Sequence, residues 1–169
     1  MEENNKKEAG SNSFKVSGVS DKIIILFATW FGAGFIPFAP GTWGSLAALP
    51  FAAGAYSLGL FFSCLSMLLI FFFSIPVSGR ASRIMEEEDP SSVVIDEVAG
   101  IFVTLFLIPV SWTGIVAGFI LFRIFDILKP FPVGFVDKKI KGGAGIVLDD
   151  IMAGIYANVG LRVILILIN

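Results

Sequence analysis

Acidic side chains in apolar surroundings are the residues of this chain best suited to chemistry. Asp96 and Glu97 precede one apolar stretch, Asp126 lies near the end of a second, and Asp149 and Asp150 lie within a third. Ionisable groups in such segments are costly to bury and by default mark a functional site. The chain has no histidine and one cysteine. A metal held by these acids would have oxygen ligands, which suit Mg²⁺ or Mn²⁺ better than Zn²⁺.

The last two acids also have a purely structural interpretation. Asp149 and Asp150 follow the glycine-rich segment 142–145, which we expect to be flexible, and would lie in the first turn of the final helix. The helix dipole favours carboxylates at that position without any ligand. It does not explain two acidic pairs in separate apolar helices. Four carboxylates brought together would repel one another, and a divalent cation would remove that conflict.

A second group of charges is spaced at intervals of three residues. Arg123, Asp126 and Lys129 share one predicted helical face, and Pro130 ends that helix. They could form an ion pair at a membrane interface beside a lysine that extends toward water. Alternatively, Arg123 could hold a phosphate while Asp126 joins the other acids. Both interpretations stay open on these residues alone.

A loop rich in glycine and proline, residues 31–45, precedes an apolar segment. Its glycines would let backbone N–H groups approach an anion, and Thr42 or Ser45 could cap the following helix. Such loops are more often simple turns. The spacing is not that of a Walker A loop, which ends in Gly-Lys-Ser/Thr.

Composition narrows the class of protein. The 169 residues are 56% hydrophobic, above the roughly 45–50% of soluble domains, which predicts a membrane protein. A net charge of −2 with scattered basic residues argues against nucleic-acid binding. Without histidine there can be no Ser-His-Asp triad, and Cys64 lies within an apolar run. Phosphoryl chemistry would need attack by an aspartate or by metal-activated water.

The apolar pattern predicts an all-α fold, an integral-membrane bundle of short helices in hairpins, preceded by a disordered polar tail at 1–22. Only 58–77 and 151–168 approach the ~20 residues of a spanning helix. We expect turns near Gly59 and at 109–112, and a helix of 17 residues from Ser92 to Ile108. Segment 23–38 is short and broken by glycines and Pro37, so we expect it to be re-entrant or interfacial.

Charge distribution predicts the orientation. Outside the tail, nearly all charges fall in 78–97 and 129–150. Hairpins with uncharged tips would place them, with all the candidate acids, on one face. The positive-inside rule makes that face cytoplasmic and leaves the C-terminus outside. The basic residues of this face are Arg80, Arg83, Lys129, Lys138, Lys139 and Lys141.

Two short segments are alike. Each acidic pair, Asp96-Glu97 and Asp149-Asp150, is followed within about a turn by a glycine, Gly100 or Gly154. These glycines would allow close approach of two helices.

At these residues the chain resembles the phosphatidylglycerophosphatase A family, over about 23–161. The resemblance implies an integral-membrane, Mg²⁺-dependent hydrolase that converts phosphatidylglycerophosphate to phosphatidylglycerol, in phosphatidylglycerol and cardiolipin biosynthesis. It implies a bacterial cytoplasmic membrane, with the active site facing the cytoplasm. The matching stretches are FGAGFIPFAPGTWGSLAALP at 31–50, IDEVAG at 95–100, FRIFDILKPFP at 122–132 and VDKKIKGGAGIVLDDIMAG at 136–154.

With this resemblance we assign the site. Mg²⁺ would be held by Asp96, Glu97, Asp149 and Asp150, one of which could act as base or nucleophile, and Asp126 would complete the site. Arg123 and Lys129 would contact phosphates, and the pocket would be shaped by Gly41, Thr42, Gly44 and Ser45. The expected partners are the phospholipid substrate and the membrane, with no nucleic acid and no obligate protein partner.

Two alternatives remain. A CDP-alcohol phosphatidyltransferase also uses carboxylate-bound Mg²⁺, but the spaced acidic array of that class is missing from this sequence. A small cation carrier would need a polar path across the membrane. The apolar halves of the predicted hairpins have no acid to line one.

Overall fold

The computed structural model describes residues 18–131, 133–134 and 140–168, so most of the predicted tail lies outside the described residues. Within these ranges there are six α-helices, one 3₁₀ helix and no strand, which confirms the all-α class. The elements are α1 Val19–Ala28, the 3₁₀ helix Ala33–Phe35, α2 Pro40–Ser57, α3 Leu60–Met85, α4 Ile95–Leu105, α5 Trp112–Leu128 and α6 Gly143–Ile168.

Helix α4 forms the centre of the bundle. Nine of its 11 residues are buried, and α2, α3, α5 and α6 all pack against it. A helix that is apolar on nearly every side is stable only when it is surrounded in this way. Asp96 and Glu97, in its first turn, are therefore held by a helix that four others fix in place.

Helix α4 is shorter than the 17 residues expected from the sequence. Before it, the N–H of Val93 donates to Pro90 O and that of Val94 to Ala28 O, both at 2.8 Å. After it, Leu107 has a φ of +56°, and Ile108 precedes Pro109, which disfavours helical geometry. At 1.5 Å per residue α4 is about 16 Å long. On its own it is too short to cross the ~30 Å hydrocarbon core of a bilayer, so a crossing between the end of α3 and the start of α5 would also need the connection 106–111.

Helices α3 and α6, with 26 residues each, are long and apolar enough to cross a membrane. They contain 60–77 and 151–168, nearly all of the two stretches that the sequence singled out by length. The outer surface of α3 is apolar: Phe61, Phe72 and Leu69 are 72%, 66% and 61% exposed. A continuous apolar surface of this kind is uncommon on soluble monomers and is consistent with a membrane protein.

Helix α6 begins at Gly143, earlier than the sequence indicated. The segment 142–145 is not a flexible linker, because Gly143 packs directly on α3. A Cβ atom at Gly143 would lie 2.2 Å from Ile75 O. Asp149 and Asp150 consequently lie in the second turn, and the expectation of a first-turn position was wrong. The helix-dipole explanation weakens with it, because the dipole's effect falls off within the first turn.

The two glycines of the similar segments do meet. A Cβ atom at Gly154 would lie 2.6 Å from Gly100 O, so the backbones of α4 and α6 are in close contact there. Each glycine follows an acidic pair by about one turn. This crossing therefore brings the two pairs together at the same end of the helices.

The connections agree with the expected turns. Residues 58–59 join α2 to α3, and Gly59 has a φ of +99°, which glycine adopts without strain. Residues 106–111 join α4 to α5. Segment 23–38 forms most of α1 and the 3₁₀ helix, and α1 is tied to α3 by an ion pair between Asp21 and Arg80 at 3.0 Å.

Candidate functional site

Three of the predicted acids form a compact cluster. One carboxylate oxygen each from Asp96, Glu97 and Asp150 lies within 4.8 Å of the other two. Asp96 and Asp150 are only 7% and 4% exposed. They come from the first turn of α4 and the second turn of α6. Oxygen ligands at this spacing, with no nitrogen or sulfur among them, fit a hard cation such as Mg²⁺.

The electrostatic surroundings of Asp96 and Glu97 also fit a cation. Both residues lie in α4, which is not one of the two helices that could span a membrane. Asp96 Oδ1 and Glu97 Oε2 are buried without a hydrogen-bond partner in the described part of the chain. Burial, and then the neighbouring Glu97, raises the pKa of Asp96 well above its usual range. Burial raises the pKa of Glu97 to about 7, although Arg123 acts in the opposite direction. A divalent cation would both neutralise these groups and supply the missing partner.

The other two acids are paired with basic side chains. Arg123 Nη1 lies 2.6 Å from Asp126 Oδ2, and Lys129 Nζ lies 2.6 Å from Asp149 Oδ2. Asp149, which we expected among the metal ligands, is not part of the cluster of three. Asp126 likewise contacts Arg123. The five acids therefore divide into three that lie close to one another and two that are paired with basic side chains.

Both groups line one cavity of about 250 Å³. Its size suits a phosphorylated head group rather than a whole lipid, since pockets that enclose drug-sized ligands start at roughly 300 Å³. Arg123 Nε is buried and has no hydrogen-bond partner among the described residues, so it could donate to an anion there. The charged residues that line the cavity are Asp89, Asp96, Glu97, Arg123, Asp126, Lys129, Asp149 and Asp150.

The glycine- and proline-rich loop contributes in a way that the sequence did not predict. Helix α2 begins at Pro40, and its N-cap is Ala39, which makes no side-chain capping bond. Ser45 does not cap the helix, because its hydroxyl donates to Gly41 O at 2.7 Å, one turn back. Thr42 lies inside the first turn rather than before it.

Only one of the four predicted loop residues reaches the cavity. Gly41 lines it, whereas Thr42, Gly44 and Ser45 are not among the described residues that do. Gly44 instead packs on α4: a Cβ atom there would lie 2.6 Å from Val94 Cβ. Its role in the structure is helix packing.

Sequence reasoning missed the connection between α3 and α4. Asp89, Pro90 and Ser91 line the cavity, and the charge of Asp89 contributes to the raised pKa of Asp96. This connection is polar and short, so it lacked the apolar context that marked the other acids. An Asp-Pro turn a few residues before an acidic pair was the available signal.

The family of the chain follows from its similarity to known proteins. The family profile described as Phosphatidylglycerophosphatase A matches residues 26–165. This chain belongs to the phosphatidylglycerophosphatase A family. Every predicted site residue lies inside the matched region, and so does the whole cavity. The resemblance seen in the four sequence blocks is confirmed.

Individual relatives agree with the family. A phosphatidylglycerophosphatase A of Haemophilus influenzae is 43% identical over 136 residues, which cover 79% of this chain and 83% of that protein. The Escherichia coli protein of the same name is 38% identical over 78% of this chain and 77% of its own length. A Bacteroides thetaiotaomicron protein, provisionally named phosphatidylinositol-3-phosphatase, is 37% identical over 79% of this chain and 87% of its own length. No solved structure matches the chain significantly.

Proposed function

We propose that this protein hydrolyses phosphatidylglycerophosphate to phosphatidylglycerol and inorganic phosphate. Family membership and the names of two relatives support the reaction. The observation that carries the proposal is the cavity itself. It is lined by the three clustered carboxylates and by Arg123 and Lys129, at a size that admits a phosphate head group.

Asp96, Glu97 and Asp150 would hold Mg²⁺. When bound, the cation would neutralise charge on the phosphoryl oxygens and could lower the pKa of a water molecule. The protein's own contribution is to hold two buried carboxylates and one half-buried carboxylate on two helices that pack tightly together. Asp149, in this proposal, serves as the partner of Lys129 instead of a fourth ligand.

Arg123 and Lys129 would bind the phosphate. Both basic side chains line the cavity. Arg123 is paired there with Asp126, and Lys129 with Asp149. A guanidinium with a free Nε can donate two parallel hydrogen bonds to a phosphate, and this geometry is specific for planar donors. Asp126 would orient Arg123 for that contact.

We propose that α3 and α6 cross the bacterial cytoplasmic membrane with the cavity on the cytoplasmic side. Lys129, Lys141 and Arg83 are at this end, while Lys138 and Lys139 lie outside the described residues. Hairpin pairing of the helices, and an interfacial or re-entrant position for α1 and the 3₁₀ helix, complete this arrangement. The small cavity would leave the acyl chains in the surrounding lipid.

The test is phosphate release from phosphatidylglycerophosphate in mixed micelles, with Mg²⁺ added or chelated. Glu97→Gln and Asp150→Asn should each abolish metal-dependent release, because each removes a charged ligand, while the thermal unfolding midpoint stays close to that of the wild type. Absence of metal-dependent release from the wild-type protein would contradict the proposal. Near-normal turnover in either variant would remove that residue from the site.

Two further substrates separate the alternatives. Phosphatidylinositol 3-phosphate tests the activity named for the Bacteroides relative, and we expect slower release because the cavity is small. Formation of CMP from a CDP-lipid would indicate a phosphatidyltransferase, and cation flux into liposomes would indicate a carrier. The family match favours the phosphatase over both.

A further inference from the structure

Glu97 occupies the space where a side chain at Gly41 would stand. Gly41 is buried and is the second residue of α2. A Cβ atom built on it would lie 2.0 Å from Glu97 Oε1, 3.0 Å from Glu97 Cδ and 3.3 Å from Arg123 Nη1. Real Cβ atoms essentially never come within 3.0 Å of another group. The carboxylate of Glu97 therefore rests directly on the backbone of α2.

The backbone itself gives no reason for a glycine at this position. The glycines with positive φ are Gly32, Gly59 and Gly142 in the described part of the chain, and Gly41 is not among them. Glycine inside a helix costs roughly 1 kcal/mol relative to alanine. What glycine provides here is room for Glu97.

We propose that Gly41 is a positioning residue for the cation site. Without a side chain at 41, the carboxylate of Glu97 can lie against the first turn of α2 while it stays within reach of Asp96 and Asp150. The positive end of the α2 dipole favours a carboxylate in that place. The inference rests on the proposed function only in taking these three acids as the cation site. It assigns Gly41 to Glu97 rather than to the phosphate.

The geometry predicts what alanine would do. Ordinary contact with a Cβ atom begins at about 3.4 Å, so the carboxylate of Glu97 would have to move by more than about 1 Å. Ligand distances in a metal site are held to about 0.2 Å, and Mg²⁺ requires near-ideal geometry. Glu97 Oε1 is the end of a flexible side chain, so the movement costs little folding free energy. Gly41→Ala should therefore damage cation binding and spare the fold.

The experiment measures cation binding directly in the purified, detergent-solubilised protein. Binding of Mn²⁺ is followed by the electron paramagnetic resonance signal of the free ion, and thermal unfolding is recorded without metal. Gly41→Ala should weaken Mn²⁺ binding about 10- to 100-fold, the range seen when groups that orient metal ligands are changed. Gly54→Ala is the matched control, because Gly54 lies in the same helix with nothing within 4 Å of its Cβ position. It should bind Mn²⁺ like the wild type, and both variants should unfold near the wild-type midpoint.

A compensating substitution tests whether Gly41→Ala weakens Mn²⁺ binding by displacing Glu97. In Gly41→Ala with Glu97→Asp, the acidic side chain is shorter by one methylene and clears the new methyl group. We expect this double variant to bind Mn²⁺ more tightly than Gly41→Ala alone. A double variant that binds no better would remove Glu97 as the route and overturn the inference.

Other outcomes are equally decisive. Wild-type Mn²⁺ affinity in Gly41→Ala would overturn the inference, and a raised KM for lipid with unchanged Mn²⁺ binding would return Gly41 to the phosphate pocket. Failure of the proposed function is distinguishable. In that case the wild-type protein binds Mn²⁺ and releases no phosphate, while Gly41→Ala still weakens Mn²⁺ binding relative to Gly54→Ala.

Discussion

The carboxylates that line the cavity have different surroundings, and these surroundings indicate different roles. Asp149 lies 2.6 Å from the ammonium of Lys129 and is paired with that opposite charge. Asp96 faces Glu97 and Asp150 at the end of a buried helix, where ionisation is unfavourable without a cation. Pairs of titratable groups whose environments diverge in this way are typical of catalytic sites. We therefore propose that the cluster of three is the part of the site that binds the metal.

Cation binding should strengthen as the pH rises through about 7. The pKa of Glu97 is raised to about 7 in the folded protein, whereas an unfolded glutamate ionises near 4.3. Between these values the folded state without a cation binds more protons than the unfolded state, so its stability falls as the pH rises. A cation binds the ionised form and offsets that loss.

The measurement for this prediction is proton release on addition of Mg²⁺, followed with a pH indicator in weakly buffered detergent solution. Release should be larger at pH 6 than at pH 9, and Glu97→Gln should reduce it at pH 6. The rise in unfolding temperature caused by Mg²⁺ should be larger at pH 8 than at pH 6. Equal proton release at both pH values would contradict a raised pKa at the site.

At the scale of the helices, close approach of α4 and α6 sets the distance between the acids. A Cβ atom at Gly154 would lie 2.6 Å from Gly100 O and 3.1 Å from Val103 Cβ. Gly100 O is a backbone atom, so it cannot move aside as a flexible side chain would. Gly154→Ala should push the helices apart, lower stability by about 1–3 kcal/mol and weaken cation binding, because Asp96 and Asp150 lie on different helices.

Gly160→Ala is the control for this prediction. It lies on the same helix, and its Cβ position is 3.7 Å from the nearest atom, Leu121 Cδ1, which is ordinary contact. Urea unfolding and Mn²⁺ binding in detergent should be close to wild type in Gly160→Ala and reduced in Gly154→Ala. Equal behaviour of the two variants would show that helix spacing does not set the geometry of the site.

The helices also show what the sequence could and could not predict. Lengths of apolar runs predicted α3 and α6, because span length is a local property. The start of α4 depends on a hydrogen bond from Val94 to Ala28, which are distant in sequence. The start of α6 depends on contact between Gly143 and α3. The composition predicted that the acids would lie close together. Which acid pairs with which basic side chain depends on how each helix is rotated about its own axis. The pairing of Asp149 with Lys129 therefore could not be foreseen.

At the scale of the whole molecule, the two ends of the bundle differ in charge. The cavity, Arg83 and Lys141 lie at one end. Arg162 lies toward the other, where its Nη2 donates to Phe106 O at 3.1 Å and its Nε donates to Asn158 Oδ1 at 2.9 Å. A cation at the C-terminal end of α4 satisfies carbonyl groups that the helix leaves open and is favoured by the dipole. Arg162 therefore has a structural role that is compatible with a cytoplasmic cavity.

This asymmetry predicts the orientation in the membrane, which cysteine labelling can measure. Cys64→Ala provides a background without cysteine, since Cys64 is the single cysteine of the chain. Arg83 and Thr113 are both exposed and lie near the end of α3 and the start of α5. In intact bacterial cells, a membrane-impermeant maleimide should label Thr113→Cys, and should label Arg83→Cys only after permeabilisation. We expect this pattern because the positive-inside rule favours a cytoplasmic position for the end that carries Arg83, Lys129 and Lys141.

The two labelling sites also report on α5. Its 17 residues span about 25 Å, close to the bilayer core, so its ends can lie on opposite sides only if the membrane is locally thin or the polar ends reach outward. Labelling of both cysteines from the outside would mean that α5 does not separate the two sides. Labelling of Arg83→Cys alone would place the cavity outside and contradict the proposed orientation. The expected pattern is the one in which the charged end, the cavity and the substrate's phosphate share a compartment.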